Sequence, residues 1–153
     1  MTEAVVLRLA VGSDAPAIRE LTRKAYAKWV PLIGREPKPM TADYAEAVRA
    51  HRIDLLYVAG ELAALIETIS EPDHLLIENV AVSPLFWGRG FGRKLMAHAE
   101  QVAASLGHGE IRLYTNKLFA ENVQFYGRLG YRVDREETLK IGVAVHMSKS
   151  VRP

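Results

Sequence analysis

The sequence contains no cysteine among its 153 residues. Disulfide bonds, zinc sites built from thiolates and a cysteine nucleophile are therefore excluded. Histidines are few, and no pair of them has the short spacing that a metal site requires. They are His51, His74, His98, His108 and His146. We expect no metal ion, so any covalent chemistry must come from another side chain or from a bound molecule.

No apolar run is long enough to cross a bilayer. The longest stretch without a charged residue is ten residues, from 79 to 88, whereas a membrane-spanning helix needs about 20 apolar residues. At the amino terminus, Glu3 and Arg8 interrupt the apolar stretch of a secretory signal. We expect a cytoplasmic protein without a membrane partner.

A strong charge of one sign is absent as well. The chain has 20 lysines and arginines against 18 aspartates and glutamates, a formal net charge of +2. Nucleic-acid binding needs a concentrated basic surface, so we expect no nucleic-acid partner. The small positive balance favours at most a polyphosphate ligand. The chain length fits a single domain over residues 1–153.

Strand and helix patterns alternate along the whole chain. Seven runs are typical of strands, at residues 4–9, 54–59, 62–70, 74–82, 111–115, 131–136 and 141–147. Helical patterns begin after Ser13-Asp14, near Thr41, at Gly90 and at Phe119, and three of them are expected to end at Pro31, Gly107 and Gly130. Gly60-Glu61 is predicted as a two-residue hairpin loop. The order β-α-α-β-β-β-α-β-α-β-β predicts an α/β fold with a mixed sheet.

A glycine-rich segment follows the fourth of these strands and opens a helix. It reads Ser83-Pro-Leu-Phe-Trp-Gly-Arg-Gly-Phe-Gly-Arg-Lys. Its glycines permit close approach of a ligand to the backbone, and the unpaired amides at a helix start favour phosphate. Arg89, Arg93 and Lys94 add positive charge. We predict a polyphosphate-binding loop, and a flexible strand-to-helix turn is the alternative.

Two common nucleotide motifs do not fit this segment. The dinucleotide fingerprint G-x-G-x-x-G requires glycine where Arg93 stands. A Walker loop requires Gly-Lys followed by Ser or Thr, and the dipeptide Gly-Lys does not occur in the chain. A different polyphosphate ligand is therefore indicated.

Two motifs together resemble those of the GCN5-related N-acetyltransferase (GNAT) family. The first is its acetyl-coenzyme A loop, Gln/Arg-x-x-Gly-x-Gly/Ala after Val-x-Pro, which corresponds here to Val82-Ser83-Pro84 and then Trp87-Gly88-Arg89-Gly90-Phe91-Gly92. The second is the run NVQFYGRLGY at 122–131, a helix with a tyrosine that closes in Leu-Gly-Tyr. The resemblance covers essentially the whole chain in element order. It implies the GNAT-type acyl-CoA N-acyltransferase fold, with a mostly antiparallel, centrally splayed sheet and acetyl-CoA as co-substrate.

The resemblance also implies which residues bind acetyl-CoA. They are Val80, Ala81, Val82, Trp87, Gly88, Arg89, Gly90, Phe91, Gly92, Arg93 and Asn122. A backbone amide near 80–82 is implied to polarise the thioester carbonyl. Trp87 departs from the family pattern, which has Gln or Arg at that position. Because the interaction with the diphosphate depends mainly on backbone amides, we expect binding to survive.

Tyr126 is implied to be the proton donor for the departing thiolate. A phenol with a pKa of about 10 is protonated at neutral pH and can donate to a thiolate. The alternative is a core role, because Phe119, Val123 and Tyr126 share one helix face.

Glu78 is the candidate base, because burial in an apolar strand would raise the pKa of its carboxyl group. A structural hydrogen bond or ion pair is the alternative for Glu78, and Glu67 or a water chain could take the role instead. Asn79 is expected to orient the pantetheine arm or Glu78. Asn116 is expected to be a turn residue.

Tyr26, Trp29, Met40 and Tyr44 are candidate acceptor-binding residues, since the resemblance implies that the first two helices meet the acceptor. Together with Asp43, their aromatic faces suit a small cationic amine. Alternatively, Tyr26 and Trp29 pack on the sheet and Asp43 caps a helix.

We therefore predict an acetyl-CoA-dependent N-acetyltransferase. It would transfer an acetyl group to a primary amine of a small molecule or peptide by direct attack in a ternary complex. A non-catalytic acyl-CoA-binding or sensing module is the alternative. In proteins of this family, closing strands such as 141–147 often pair across a homodimer, so a homodimer is compatible with the resemblance.

Overall fold

Seven strands and six α-helices alternate along residues 3–151, the part of the chain that a computed structural model describes. The strands are β1 Val5–Leu9, β2 Arg52–Val58, β3 Glu61–Ser70, β4 Leu75–Val82, β5 Glu110–Asn116, β6 Arg132–Leu139 and β7 Gly142–Ser150. The helices are α1 Ala15–Tyr26, α2 Val30–Ile33, α3 Lys38–Thr41, α4 Tyr44–Ala50, α5 Phe91–Ser105 and α6 Ala120–Arg128. Short 3-10 turns cover Gly12–Asp14, Ala27–Trp29 and Pro84–Phe86.

The strands form one mixed sheet in the order β1-β2-β3-β4-β5-β7-β6. The β4–β5 pair is parallel, and the pairs β1–β2, β2–β3, β5–β7 and β6–β7 are antiparallel. The predicted α/β class and the predicted order of the main elements are therefore confirmed. The chain divides into two compact units, Met1–Thr68 with Asn79–Met96 and Ile69–Glu78 with Ala97–Pro153.

The core of the first unit lies between its helices and its strands. Apolar residues recur at helical spacing on α1, where Ile18, Leu21 and Ala25 are buried. They pack in one cluster with Leu55 of β2 and Leu65 of β3. This packing places α1 and α4 against the sheet.

Two turns of the first unit differ from the sequence-based expectation. Pro31 does not end the first helix: α1 ends at Tyr26, and Pro31 occupies the first turn of α2, where its missing N–H is not needed. The hairpin loop is Ala59-Gly60 and not Gly60-Glu61, because Val58 pairs with Glu61. Both loop residues have positive φ, +50° and +83°, as a type I′ turn requires.

The second unit holds β5, β7 and β6 and the first half of β4. Its buried residues include Leu75, Ile77, Ile111, Leu113 and Met147. The β6–β7 hairpin is longer than predicted, since Leu139 pairs with Gly142. Within residues 3–151, no helix is long and apolar enough to cross a membrane.

Two glycines end helices as predicted. Gly107 follows α5 with a φ of +82°, and Gly130 follows α6 with a φ of +97°. Glycine adopts this left-handed conformation without the penalty that other residues incur.

Candidate functional site

The glycine-rich loop has a backbone conformation that depends on glycine. After the 3-10 turn Pro84–Phe86, Gly88 has a φ of +77° and Gly90 a φ of +81°. A Cβ atom at either position would meet no atom of residues 3–151 within 4 Å. Glycine is therefore required for conformation, and the space beside the loop is open to a ligand.

The amides that open α5 are directed out of the helix. The first helical bond runs from the Lys94 amide to the Gly90 carbonyl at 3.1 Å. The amides of Phe91, Gly92 and Arg93 precede that bond, so they have no acceptor within the helix. Because the helix dipole adds a partial positive charge there, this end of α5 suits an anion.

The cations predicted around the loop differ in their availability. Arg89 pairs with Glu3 at 3.0 Å, and its guanidinium lies 5.3 Å from the centre of the Phe91 ring. Arg93 and Lys94 are exposed, and neither has an ion pair within residues 3–151. Two of the three predicted cations thus remain available for a polyphosphate.

A cation lies beside the loop at Trp87, and the sequence gives no indication of it. Its indole Nε1 donates to the Val82 carbonyl at 2.8 Å. The Lys28 ammonium lies 4.8 Å from the centre of the Trp87 ring and 4.6 Å from that of Trp29. No local signal predicts this contact, because Lys28 and Trp87 are far apart in sequence.

The end of β4 presents alternate backbone groups to its two edges. The Ser83 amide donates to the Ala63 carbonyl of β3 at 2.8 Å. Since successive residues of a strand face opposite edges, the Ala81 amide also faces β3, whereas those of Val80 and Val82 face away from it. The parallel ladder with β5 pairs Leu75, Leu76 and Ile77, which precede Val80 and Val82 on the strand.

Asn79 joins two of the predicted acceptor residues. Its Oδ1 accepts a hydrogen bond from the Tyr26 hydroxyl at 2.7 Å, and its Nδ2 donates to the Tyr44 hydroxyl at 3.3 Å. The Tyr44 hydroxyl in turn donates to the Pro39 carbonyl at 2.6 Å. Asn79 is only 3% exposed, which makes it a buried link between α1, α4 and β4.

The remaining predicted acceptor residues are less accessible. Trp29 and Met40 are buried, as Tyr44 is, and Tyr26 is half-buried. Asp43 caps α4, because its carboxylate accepts from the Glu46 amide. The alternative of a capping role for Asp43 is therefore confirmed.

Replacement of Asn79 by alanine is expected to lower the free energy of unfolding by about 1–3 kcal/mol, since it removes one hydrogen-bond partner each from the Tyr26 and Tyr44 hydroxyl groups at a buried position. Urea denaturation measures the change. Asn122→Ala is the control: this half-buried residue of α6 has no side-chain hydrogen bond within the described residues, so its change should stay below about 0.5 kcal/mol. Equal losses for the two variants would contradict the linking role of Asn79.

Glu78 is less enclosed than the sequence predicts. Burial alternates along β4, so that Leu75, Ile77, Asn79 and Ala81 are buried while the residues between them are half-buried. Glu78 lies on this second face, and its carboxylate accepts from the Tyr114 hydroxyl at 3.4 Å. The apolar strand therefore does not bury Glu78, contrary to the expectation.

Two further predicted residues have structural partners. Glu67 is buried on β3, and its carboxylate lies 2.6 Å from Nδ1 of His51. The Asn116 side chain accepts from the Leu118 amide at 2.9 Å. Asn116 is thus a turn residue, as predicted.

Tyr126 lies on α6 beside two other aromatic rings. The ring centres of Phe125 and Tyr131 are 5.4 Å and 6.1 Å from its own. Burial raises the pKa of Tyr126 to about 12, so the phenol is protonated at every physiological pH. Asn122 precedes it by one helical turn and is also half-buried.

A row of polar side chains crosses the second unit and was missed by the sequence analysis. Tyr114 pairs with His146 across β5 and β7, with ring centres 5.8 Å apart. His146 pairs with Arg135 across β7 and β6, and its Nε2 lies 3.0 Å from the Glu137 carboxylate. A bulge between Val133 and Arg135 shifts the register, so the pattern of β6 alone does not predict this row. Within residues 3–151, no cluster of side chains could hold a metal ion.

Known proteins match both the sequence and the fold. A family profile described as "Acetyltransferase (GNAT) family" matches residues 15–131. N-alpha-acetyltransferase 80 of Mus musculus is 37% identical over 71 residues, which are 46% of this chain and 21% of that protein. Streptothricin acetyltransferase of Streptomyces lavendulae is 28% identical over 137 residues, which are 85% of this chain and 70% of that protein. The chain thus spans about a fifth of the length of the mouse relative.

The fold is that of solved acetyltransferases. The PaiA N-acetyltransferase of Thermoplasma acidophilum, in complex with coenzyme A, superposes with a TM-score of 0.81. The match covers 96% of this chain and 99% of that one at 16% sequence identity. At 16% sequence identity, this similarity shows a shared fold.

Proposed function

Because the chain belongs to the acetyltransferase (GNAT) family, we propose that it transfers an acetyl group from acetyl-CoA to a primary amine of a small molecule or peptide, by direct attack in a ternary complex. The family uses acetyl-CoA, which supplies the acetyl group as a thioester. The absence of cysteine excludes an acetyl-cysteine intermediate. Among the relatives described above, the streptothricin acetyltransferase supports a small-molecule acceptor, because the match covers 85% of this chain.

The main support for the proposal is the backbone of the glycine-rich loop. Positive φ angles at Gly88 and Gly90, open space beside both and three amides without a helical acceptor form a site that fits a diphosphate. Arg93 and Lys94 would add charge to it, and Lys28 supplies a cation beside Trp87, where the family usually has Gln or Arg.

The end of β4 would hold the pantetheine arm. The Val80 and Val82 amides face away from β3, and the residues that pair with β5 precede them on the strand. These two amides are therefore better placed than that of Ala81 to bind the arm and polarise the thioester carbonyl. Asn122 would contribute from the first turn of α6.

Tyr126 would stabilise the departing thiolate. A phenol whose pKa is about 12 is a weaker acid than a thiol, whose pKa is about 8.5. Tyr126 would therefore donate a hydrogen bond to the thiolate as the C–S bond breaks and would keep its own proton. Glu78 would accept one proton of the ammonium group before attack, and its hydrogen bond with Tyr114 would orient the carboxylate. The second proton, which the nitrogen loses after attack, would neutralise the departing thiolate.

Release of coenzyme A thiol tests this function. Purified protein is mixed with acetyl-CoA and each member of a panel of amines, and the free thiol is followed with a chromogenic disulfide. We expect release that requires both the protein and an amine. Calorimetric binding of coenzyme A without amine-dependent release for any acceptor would contradict catalysis and favour a non-catalytic binding module.

A further inference from the structure

A cavity of about 470 Å³ opens on the second unit beside the polar row described above. Leu76, Arg112, Tyr114, His146 and Arg135 contribute to its lining. By strand register these side chains come from one face of four neighbouring strands, β4, β5, β7 and β6. The volume falls in the range of small-molecule sites.

One guanidinium of this cavity forms no ion pair with the described part of the chain. Arg112 pairs with Glu110 at 3.1 Å, and Asp134 pairs with Arg132 at 3.0 Å. Arg135 is exposed and has no ion pair within residues 3–151. Since both carboxylates of the lining are paired with other residues, Arg135 is left to bind an anionic group of a ligand.

The opposite end of the polar row has a negative charge. Glu78 meets the hydroxyl of Tyr114, and the row then continues through His146 to Arg135. Neighbouring strands are about 4.8 Å apart, so the backbones at the two ends are about 14 Å apart. The Glu78 carboxylate reaches toward β5, since it accepts from the Tyr114 hydroxyl at 3.4 Å, and an acceptor that spans the row needs opposite charges that are well separated. The Tyr114 side chain, which is 40% exposed, offers an apolar surface in the middle.

Glu137, the glutamate beside His146, raises the question of whether the acceptor is a diamine. Glu137 could attract a second ammonium group, but its carboxylate is hydrogen-bonded to His146 at 3.0 Å. A diamine would also place a positive charge close to Arg135. Charge complementarity therefore favours an acceptor with one ammonium and one carboxylate over a polyamine.

We infer that this cavity binds the acceptor and that the acceptor is an amino carboxylic acid, whose carboxylate pairs with Arg135 while its amine faces Glu78. The inference rests on the proposed function. Arginine binds carboxylate through two parallel hydrogen bonds, so it selects for that group more strongly than a single charge would.

Matched acceptors test the inference. Lysine is compared with cadaverine, and 6-aminohexanoic acid with pentylamine, because each pair differs only in the carboxylate and each acid carries an amine separated from it. We expect kcat/KM of the wild-type protein to be at least about tenfold higher for the amino acid of an accepted pair, as one charge-assisted contact provides. Arg135→Gln should remove this preference by raising KM for the amino acid, while kcat/KM for the amine without carboxylate stays within about twofold. Arg135→Lys, which keeps the positive charge, should retain part of the preference for the amino acid.

Two further measurements make the result decisive. Lys140→Gln removes the same charge from the β6–β7 turn, outside the cavity, and should leave the preference unchanged. Calorimetric titration with the N-acetylated amino acid, in the presence of coenzyme A, should show weaker binding to Arg135→Gln than to wild type. If a variant fails to fold, the wild-type preference within each pair still decides the question.

The outcomes separate the two proposals. No thiol release with any acceptor would overturn the proposed function. Release that is as fast or faster with the amines that lack a carboxylate, or a preference that Lys140→Gln abolishes as well, would overturn the inference and leave the proposed function standing. Faster turnover of cadaverine than of lysine would specifically favour a diamine acceptor.

Discussion

Gly90→Ala is expected to lower the affinity for coenzyme A by about 5–30-fold. Gly90 has a φ of +81°, and an L-residue with a side chain pays about 1–2 kcal/mol in the left-handed conformation. The strain is relieved when the loop rotates toward negative φ, and that rotation redirects the amides that open α5. Isothermal titration calorimetry with coenzyme A measures the loss.

Gly107→Ala is the matched control for this prediction. Gly107 has nearly the same φ, +82°, and a Cβ atom there would likewise meet no described atom within 4 Å. Both variants should therefore lose similar stability on heating, but only Gly90→Ala should lose affinity for coenzyme A. Unchanged affinity in Gly90→Ala would show that the loop conformation does not determine binding.

Tyr126→Phe is expected to reduce kcat by about 100-fold while KM for acetyl-CoA stays within about twofold. The variant removes only a hydroxyl that is proposed to act as the thiolate forms, so the loss falls on the transition state and not on ground-state binding. Steady-state kinetics with an accepted amine measures the two parameters.

Tyr131→Phe provides the comparison for Tyr126→Phe. The Tyr131 hydroxyl is buried without a hydrogen-bond partner in the described part of the chain. Its removal should leave kcat unchanged and raise the free energy of unfolding by about 1 kcal/mol, because a buried unsatisfied group is eliminated. A kcat for Tyr126→Phe close to that of Tyr131→Phe would assign Tyr126 to packing alone.

The raised pKa of Tyr126 also predicts how the rate depends on pH. Burial raises the pKa of Tyr126 to about 12, so the donating form persists as pH rises and is lost only near that value. The wild-type rate should therefore not decline with an apparent pKa of about 10, the ordinary value of tyrosine. A decline there that Tyr126→Phe abolishes would contradict the raised pKa.

Local chemistry made much of the fold predictable. The glycine-rich loop, the apolar face of α5 and the glycines after α5 and α6 each carry their signal within a few residues. The sequence places the hairpin loop one residue too late, at Gly60-Glu61. Alanine rarely adopts a φ of +50°, so nothing in the sequence indicates that Ala59 belongs to the loop. The expectation that Pro31 ends the first helix is wrong, because proline is compatible both with the end of one helix and with the start of the next.

The candidate site was harder to predict, because its contacts join distant residues. The approach of Lys28 to Trp87, and that of Asn79 to Tyr26 and Tyr44, depend on how helices pack against the sheet. The polar row that ends at Arg135 depends on strand register and on a bulge in β6. Neither packing nor register can be derived from hydrophobic periodicity alone.

Backbone amide chemical shifts show whether the amides around residues 88–93 bind the diphosphate of acetyl-CoA. The measurement is a nitrogen–proton correlation spectrum of the labelled protein, titrated with coenzyme A and, separately, with pantetheine, which lacks the diphosphate. We expect coenzyme A to shift the amides of Gly90, Phe91, Gly92 and Arg93 most strongly and pantetheine to leave them nearly unchanged. Binding of coenzyme A that leaves these four amides in place would contradict this role of the loop.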